Sequence, residues 1–224
     1  NPVGAEVDFI YDYEWNRFNS EGEYEISDGL LVPKYNNYNF HRLLLDGKLY
    51  FPLWFDDHTL SARLVGGTIL GPQVPDFFDF YLGGLIWFKA YPFYSLSGNE
   101  IAWLNLTYRF PLWRDIDYKL SFLYFDKIFL SFHFDYGNAW NGDFPSLSEF
   151  KKGAGAEIRL QMNSYYLFPT AFFFNASYGF DKFDKVVDRG VATYGKEWRF
   201  YGGILFGFDI VNSKTAFTNP NRIR

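Results

Sequence analysis

Three side chains at alternate positions, Ser131, His133 and Asp135, are the residue types of a nucleophilic triad. A serine activated by a histidine, itself oriented by a carboxylate, would perform acyl transfer. The spacing argues against it. Residues two apart on a strand stand about 6.6 Å apart with parallel side chains, whereas a Ser–His hydrogen bond needs about 3 Å. A polar strand face is the simpler reading. His41 falls at a loop end and His58 in a turn, and no metal-ligand spacing accompanies either. The acidic series Glu6, Asp8, Asp12 and Glu14 offers oxygen ligands but reads as a solvated strand face. No phosphate-binding loop or nucleotide motif is present. No catalytic residue, metal site or cofactor follows from these patterns, and the chain is not expected to be an enzyme.

The elements that would carry these residues are strands. Val7, Phe9, Tyr11 and Tyr13 alternate with acids, and period two marks a strand with one dry and one wet face. The same alternation returns over His41–Leu53, Leu60–Leu70, Ala102–Phe110, Leu130–Tyr136, Ala154–Met162, Thr170–Tyr178 and Phe200–Ile210. In nearly every strand one face carries charges of mixed sign and the other is almost free of charge. The first half of Tyr118–Tyr136 is irregular and fits either a continued strand or a separate interfacial segment. Connections alternate in length. Those at 16–39, 71–99, 138–148 and 181–193 are long, and the turns near Asp56, Asp115 and Asn163 are short.

Aromatic residues make up 24% of the 224 positions, with 28 Phe, 18 Tyr and 7 Trp, and only 21% are charged. Tyr and Trp in that abundance suit a surface that meets lipid and its two interfaces with water. There is no cysteine, so no disulfide framework. The net charge of −5 argues against nucleic acid as a partner. No apolar run is long enough for a membrane helix. Alternating strands of about ten residues, with long and short connections in turn, predict an all-β, antiparallel transmembrane β-barrel of the outer-membrane type. It has eight strands in this chain, long external loops and short periplasmic turns. The barrel is expected over 1–210 and a polar periplasmic tail over 211–224. A soluble sandwich or lipocalin-like barrel is the alternative, with the aromatic face inside and the charged face in water.

The stretch from Phe80 to Leu112 departs from this regularity: a long, apolar, glycine-punctuated loop that runs into a strand. It reads Leu82-Gly83-Gly84, then Phe88-Lys89-Ala90-Tyr91, then Tyr108-Arg109-Phe110-Pro111-Leu112. Further on stand His133-Phe134-Asp135-Tyr136-Gly137 and Gly155-Ala156-Glu157-Ile158-Arg159. Near the end comes Gly203-Ile204-Leu205-Phe206-Gly207-Phe208. In this order the segments resemble the C-terminal half of the bacterial surface-antigen family of outer-membrane barrels, the insertases and translocases. The resemblance implies that the loop at Gly83, Gly84, Phe88, Lys89, Ala90 and Tyr91 folds into the lumen. It implies wall partners at Asp135, Gly137, Glu157 and Arg159, and a last-strand signal at Gly203, Phe206 and Phe208. The family's loop arginine is Lys89 here and the glycine after it is Ala90. Lys89 is expected to reach Asp135, and Glu157 as a second partner, because a buried charge needs a counter-charge.

The resemblance also implies a role in inserting proteins into the outer membrane or translocating them across it. A structural or pore-forming barrel is the alternative, and a barrel hydrolase a more distant one. Expected partners are outer-membrane lipid and lipopolysaccharide, client outer-membrane proteins, and a periplasmic domain missing from this chain. Eight strands make a barrel whose interior is filled by its own side chains, with no room for such a loop. Three closures are open: a longer chain, two copies in one barrel, or closure alone with the loop capping the mouth. The first is expected, since the chain begins with Asn1 and family barrels have about twice as many strands.

Overall fold

The computed structural model describes residues 3–206 except positions 20, 56, 166, 167, 188 and 189. Eight long strands form one antiparallel meander: β1 (Gly4–Glu14), β2 (Phe40–Pro52), β3 (Thr59–Leu70), β4 (Glu100–Trp113), β5 (Leu123–Trp140), β6 (Lys151–Ser164), β7 (Phe168–Gly179) and β8 (Trp198–Phe206). Each pairs with its neighbours in chain order, and a short strand, Tyr118–Leu120, adds to β5. The sheet is not closed: β1 and β8 lie at its two ends. Each stretch read from period two falls on one of these long strands, but the described residues hold seventeen strands in all, nine of them in the main sheet. The last one's continuation to Ile210, its Gly207 and Phe208, and the tail from 211 lie outside the described residues.

The irregular stretch after Tyr118 is a small hairpin, turned at Ser121 with positive φ, which leads into an 18-residue β5. A bulge between Phe125 and Lys127 breaks the register, which is why the alternation there is hard to follow. The long connections are more ordered than their polar composition suggests. Within 16–39, Tyr24–Ser27 pairs with Leu30–Pro33 around Asp28-Gly29, where both residues have positive φ. Asp-Gly at a two-residue turn is a strong hairpin signal. Phe183–Val187 likewise pairs antiparallel with Gly190–Tyr194. β5 runs on through Asn138 to Trp140, into what reads as loop. His41 likewise lies within β2, not in a loop, with Nδ1 2.8 Å from the Tyr11 hydroxyl.

The two faces of the sheet differ in what covers them. The core lies on one face, where the segment between β3 and β4 packs. Leu82, Phe88, Ala90 and Tyr91 of that segment are completely buried, against Val65 of β3, Ile101 and Trp103 of β4 and Ala139 of β5. We call this the inner face. It also carries Asp46, Arg63, Asn105, His133, Asp135, Glu157, Asn175 and Arg199. The outer face is bare. Phe9, Leu45, Leu64, Leu106, Phe132, Ile158, Phe174 and Ile204 are all exposed there. The outward positions between the rims carry no charged side chain; Glu100 and Lys152 stand at the long-loop rim.

Candidate functional site

The candidate site is the docked segment 71–99 and the wall beneath it. Its base is a short ladder, Phe80–Leu82 with Leu96–Gly98. The tip is held by its own backbone: Gly84 N–H donates to the Tyr91 carbonyl (2.8 Å) and Tyr91 N–H to that of Phe88 (3.2 Å). Gly83 adopts φ 127°, and a Cβ there would run into the Pro92 carbonyl. A side chain at that position is excluded both by conformation and by space. The Gly-Gly pair therefore makes the turn that lays Phe88–Tyr91 flat on the wall.

Opposite the tip, the wall is glycine. A Cβ on Gly153 of β6 would overlap Ala90 and come within 3.0 Å of Phe88, and one on Gly179 of β7 within 2.9 Å of the Tyr91 ring. Gly137 lets the Trp103 indole lie against β5. The Tyr91 hydroxyl reaches past the wall to the Lys152 carbonyl (3.0 Å) and the Asp181 carbonyl (3.1 Å), and accepts from Asp181 N–H (3.1 Å). Burial pushes its pKa up to about 12, so it stays a neutral donor. From the far side, Lys185 on the Phe183–Val187 hairpin donates to the Tyr94 carbonyl (2.7 Å) and to Ser97 Oγ (3.0 Å).

Lys89 pairs with Glu157, Nζ to Oε2 at 3.3 Å. Arg159 holds the other oxygen, with Nε at 3.1 Å and Nη2 at 2.6 Å from Oε1. Of the two expected partners, Glu157 is thus the one engaged, and the expectation for Asp135 is corrected. Asp135 is completely buried and already satisfied. It accepts from Trp103 Nε1 (3.2 Å), Asn105 Nδ2 (2.8 Å) and His133 Nδ1 (3.0 Å). Those three donors leave no approach for an ammonium.

The His133–Asp135 bond also corrects the spacing argument. Residues two apart on a strand face can meet when one side chain is a long ring leaning along the strand, and Arg159 reaches Glu157 in the same way. Ser131 does not join; its hydroxyl donates to the Glu157 carbonyl (3.4 Å). The serine beside His133 comes from β7: Ser177 Oγ is 3.2 Å and Asn175 Nδ2 3.1 Å from Nε2. Ser177, His133 and Asp135 stand in the order of a triad. Their surroundings are those of a packed network. Ser177 and Asn175 are fully buried, and the Ser177 hydroxyl donates to Asn175 Oδ1 at 2.6 Å. β7 is laddered on both sides, so its amides are engaged and none is left to form an oxyanion hole.

A second charged pair escapes the sequence patterns. Arg63 grips Asp46 with two bonds (Nε–Oδ1 2.9 Å, Nη2–Oδ2 2.6 Å). Its guanidinium lies over Trp87 of the loop (4.8 Å) and Trp103 of the wall (5.4 Å). Lys48 is directly opposite Arg63 in register, and Arg63 takes the diagonal carboxylate of Asp46. Strand alternation places these residues on one face but does not select among diagonals. The last-strand positions Gly203 and Phe206 lie on the strand at the sheet edge, with Gly203 facing the Phe173 ring. Among the described residues no three His, Asp or Glu side chains gather as metal ligands. No protein-family model matches the chain, and no curated protein is detectably similar to it.

Proposed function

We propose that this chain is wall and plug of an outer-membrane β-barrel of the surface-antigen type, serving protein insertion into, or translocation across, that membrane. The observation that carries the membrane reading is the inverted sheet. Its exposed face is apolar and free of charge between the rims, while its charges lie on the face the loop covers. A soluble sandwich would bury the first face and expose the second. A run such as Ala102–Leu112 rises about 34 Å, or about 26 Å across a bilayer at a tilt of about 40°, close to the apolar band of such barrels. Exposed aromatics mark both rims: Trp54, Trp113 and Tyr118 at the short turns, Tyr13, Trp15 and Trp198 at the long connections.

On this reading the partners are outer-membrane lipid and lipopolysaccharide on the outer face, and client proteins at the sheet edge. The step from barrel to insertase rests on the docked Lys89 loop and on the segments that resemble, in order, those of that family. The test is reconstitution into lipid vesicles with an unfolded outer-membrane barrel as client. Faster folding of the client, measured as protease-protected product, is the expected result. Steady ion conductance without any effect on the client would favour a pore-forming role instead and overturn the insertase.

A further inference from the structure

The inner face carries a guanidinium that the chain itself leaves without a counter-charge. Arg109 of β4 is half-buried there, and its side chain lies over the Phe129 ring of β5, 5.3 Å from the ring centroid. Among the described residues its guanidinium has neither a hydrogen-bond acceptor nor an ion-pair partner. Register gives the reason. Arg109 stands opposite Ser131, and Ser131 opposite Glu157, so a whole strand separates the guanidinium from that carboxylate. Glu157 is in any case held by Lys89 and Arg159.

Phe129, on which Arg109 lies, is paired with Arg159 of β6. Arg109 therefore leans toward a second guanidinium, and the two repel. A further cation borders the same ring: Lys127 Nζ stands 6.0 Å from its centroid and 3.4 Å from Asp126. Lys89, Arg109, Lys127 and Arg159 thus share this part of the wall with only two carboxylates, Asp126 and Glu157. Like charges gathered on a sheltered wall cost free energy that a counter-ion offsets. Donors for such an ion are unspent. Arg159 gives Nε and Nη2 to Glu157 and leaves Nη1 without a protein acceptor, and Arg109 keeps its whole fork. Space adjoins them as well. Arg159 lines a cavity of about 220 Å³ beneath the loop tip, between Leu85 and Ile86 of the loop and Phe173 of the wall.

We propose that Arg109 and Arg159 form an oxyanion-binding site on the inner face, with Phe129 as its floor, that takes a phosphate or carboxylate group. The planar fork of a guanidinium matches two oxygens of either group. Free phosphate and the acidic side chains of a polypeptide both carry this chemistry, and the test separates them. The site needs only the wall and the docked loop, so it holds whether or not the outer face meets lipid.

The test is titration calorimetry on the full chain in neutral detergent at low salt, with inorganic phosphate in one arm and a short polyglutamate peptide in the other. Saturable binding in at least one arm is the expected result. Tighter binding of the peptide assigns the site to an acidic segment, and binding of phosphate alone assigns it to the free anion. Arg109→Gln should weaken binding about tenfold or more, the worth of one charge-assisted contact, with the β-sheet circular dichroism unchanged. Arg109→Lys keeps the charge and covers the case in which Arg109→Gln does not fold. It should bind severalfold more weakly, because an ammonium lacks the fork. Lys48→Gln removes an inner-face cation that is already paired with Glu6, and should leave the affinity nearly unchanged. No binding in either arm by folded protein would overturn the proposal. Equal losses in the Arg109 and Lys48 variants would overturn it too, since the effect would then belong to the general charge of the face.

Discussion

Glu157 sits between two cations, Lys89 from the loop and Arg159 from its own strand, and its side chain is only 7% exposed. Arg159 is always close at hand, two residues away on a rigid strand. Lys89 arrives only when the loop docks, so the Lys89 contact reports docking and the Arg159 contact does not. A charge-assisted bond in so sheltered a place is worth about 1.5–3 kcal/mol. A double-mutant cycle with Lys89→Met and Glu157→Gln should return a coupling of that size in loop protection against protease. Lys89→Arg should keep the loop docked, since a guanidinium can reach the same oxygen. The His133 network makes a second residue-scale prediction. Ser177 should not react with a fluorophosphonate probe in the folded protein, because its proton is held by Asn175 and no solvent reaches it. Labelling lost on His133→Ala would overturn that reading and make the cluster a reaction centre.

The loop is an element with several anchors, and they differ in kind. Glycines make room for it, Tyr91 bonds the backbone of β6 and of the connection after β7, and Lys185 clamps it from a neighbouring hairpin. Gly153→Val places atoms where Ala90 and Phe88 lie. It should release the loop to protease while the sheet still assembles, read as retained heat-modifiable mobility. Asp79 gives the loop a pH dependence. Burial, and then the neighbouring Asp76, raise its pKa to about 6. A raised carboxyl favours the docked state in its neutral form. Its contribution is therefore full below the ordinary carboxylate range and is lost as pH rises through about 6. Docking should be tighter at pH 5 than at pH 7.5 by loop proteolysis, and Asp79→Asn should flatten that difference. Much of this element could be anticipated from sequence: the Gly83-Gly84 turn, the apolar tip and the need of Lys89 for a carboxylate. Which carboxylate was not legible, because that depends on which acid the wall itself leaves unsatisfied. Asp135 is consumed by His133, its neighbour on the same strand face, and by Trp103 and Asn105, which no local pattern links to it.

At the scale of the molecule, the eight strands and their order could be read from period two alone, since one charged and one uncharged face repeat down the chain. The hairpins inside the long connections could not, because hydrophobic alternation is weak where neither face packs, and only Asp28-Gly29 announces its turn. Nor does alternation say which face is outside. A sandwich and a membrane barrel share the same pattern with opposite exposure, and the proposal of a barrel is drawn from the loop packed on the charged face. Tryptophan positions turn this into a measurement. Trp113 and Trp198 lie exposed at the outer rims, whereas Trp103 is buried under the loop and bonded to Asp135. In vesicles of brominated lipid, a variant keeping only Trp113 or only Trp198 should lose most of its fluorescence. A variant keeping only Trp103 should keep most of its emission. Strong quenching of Trp103 with Trp113 and Trp198 untouched would place lipid on the charged face and invert the assignment, while no quenching at any of the three would remove the protein from the bilayer.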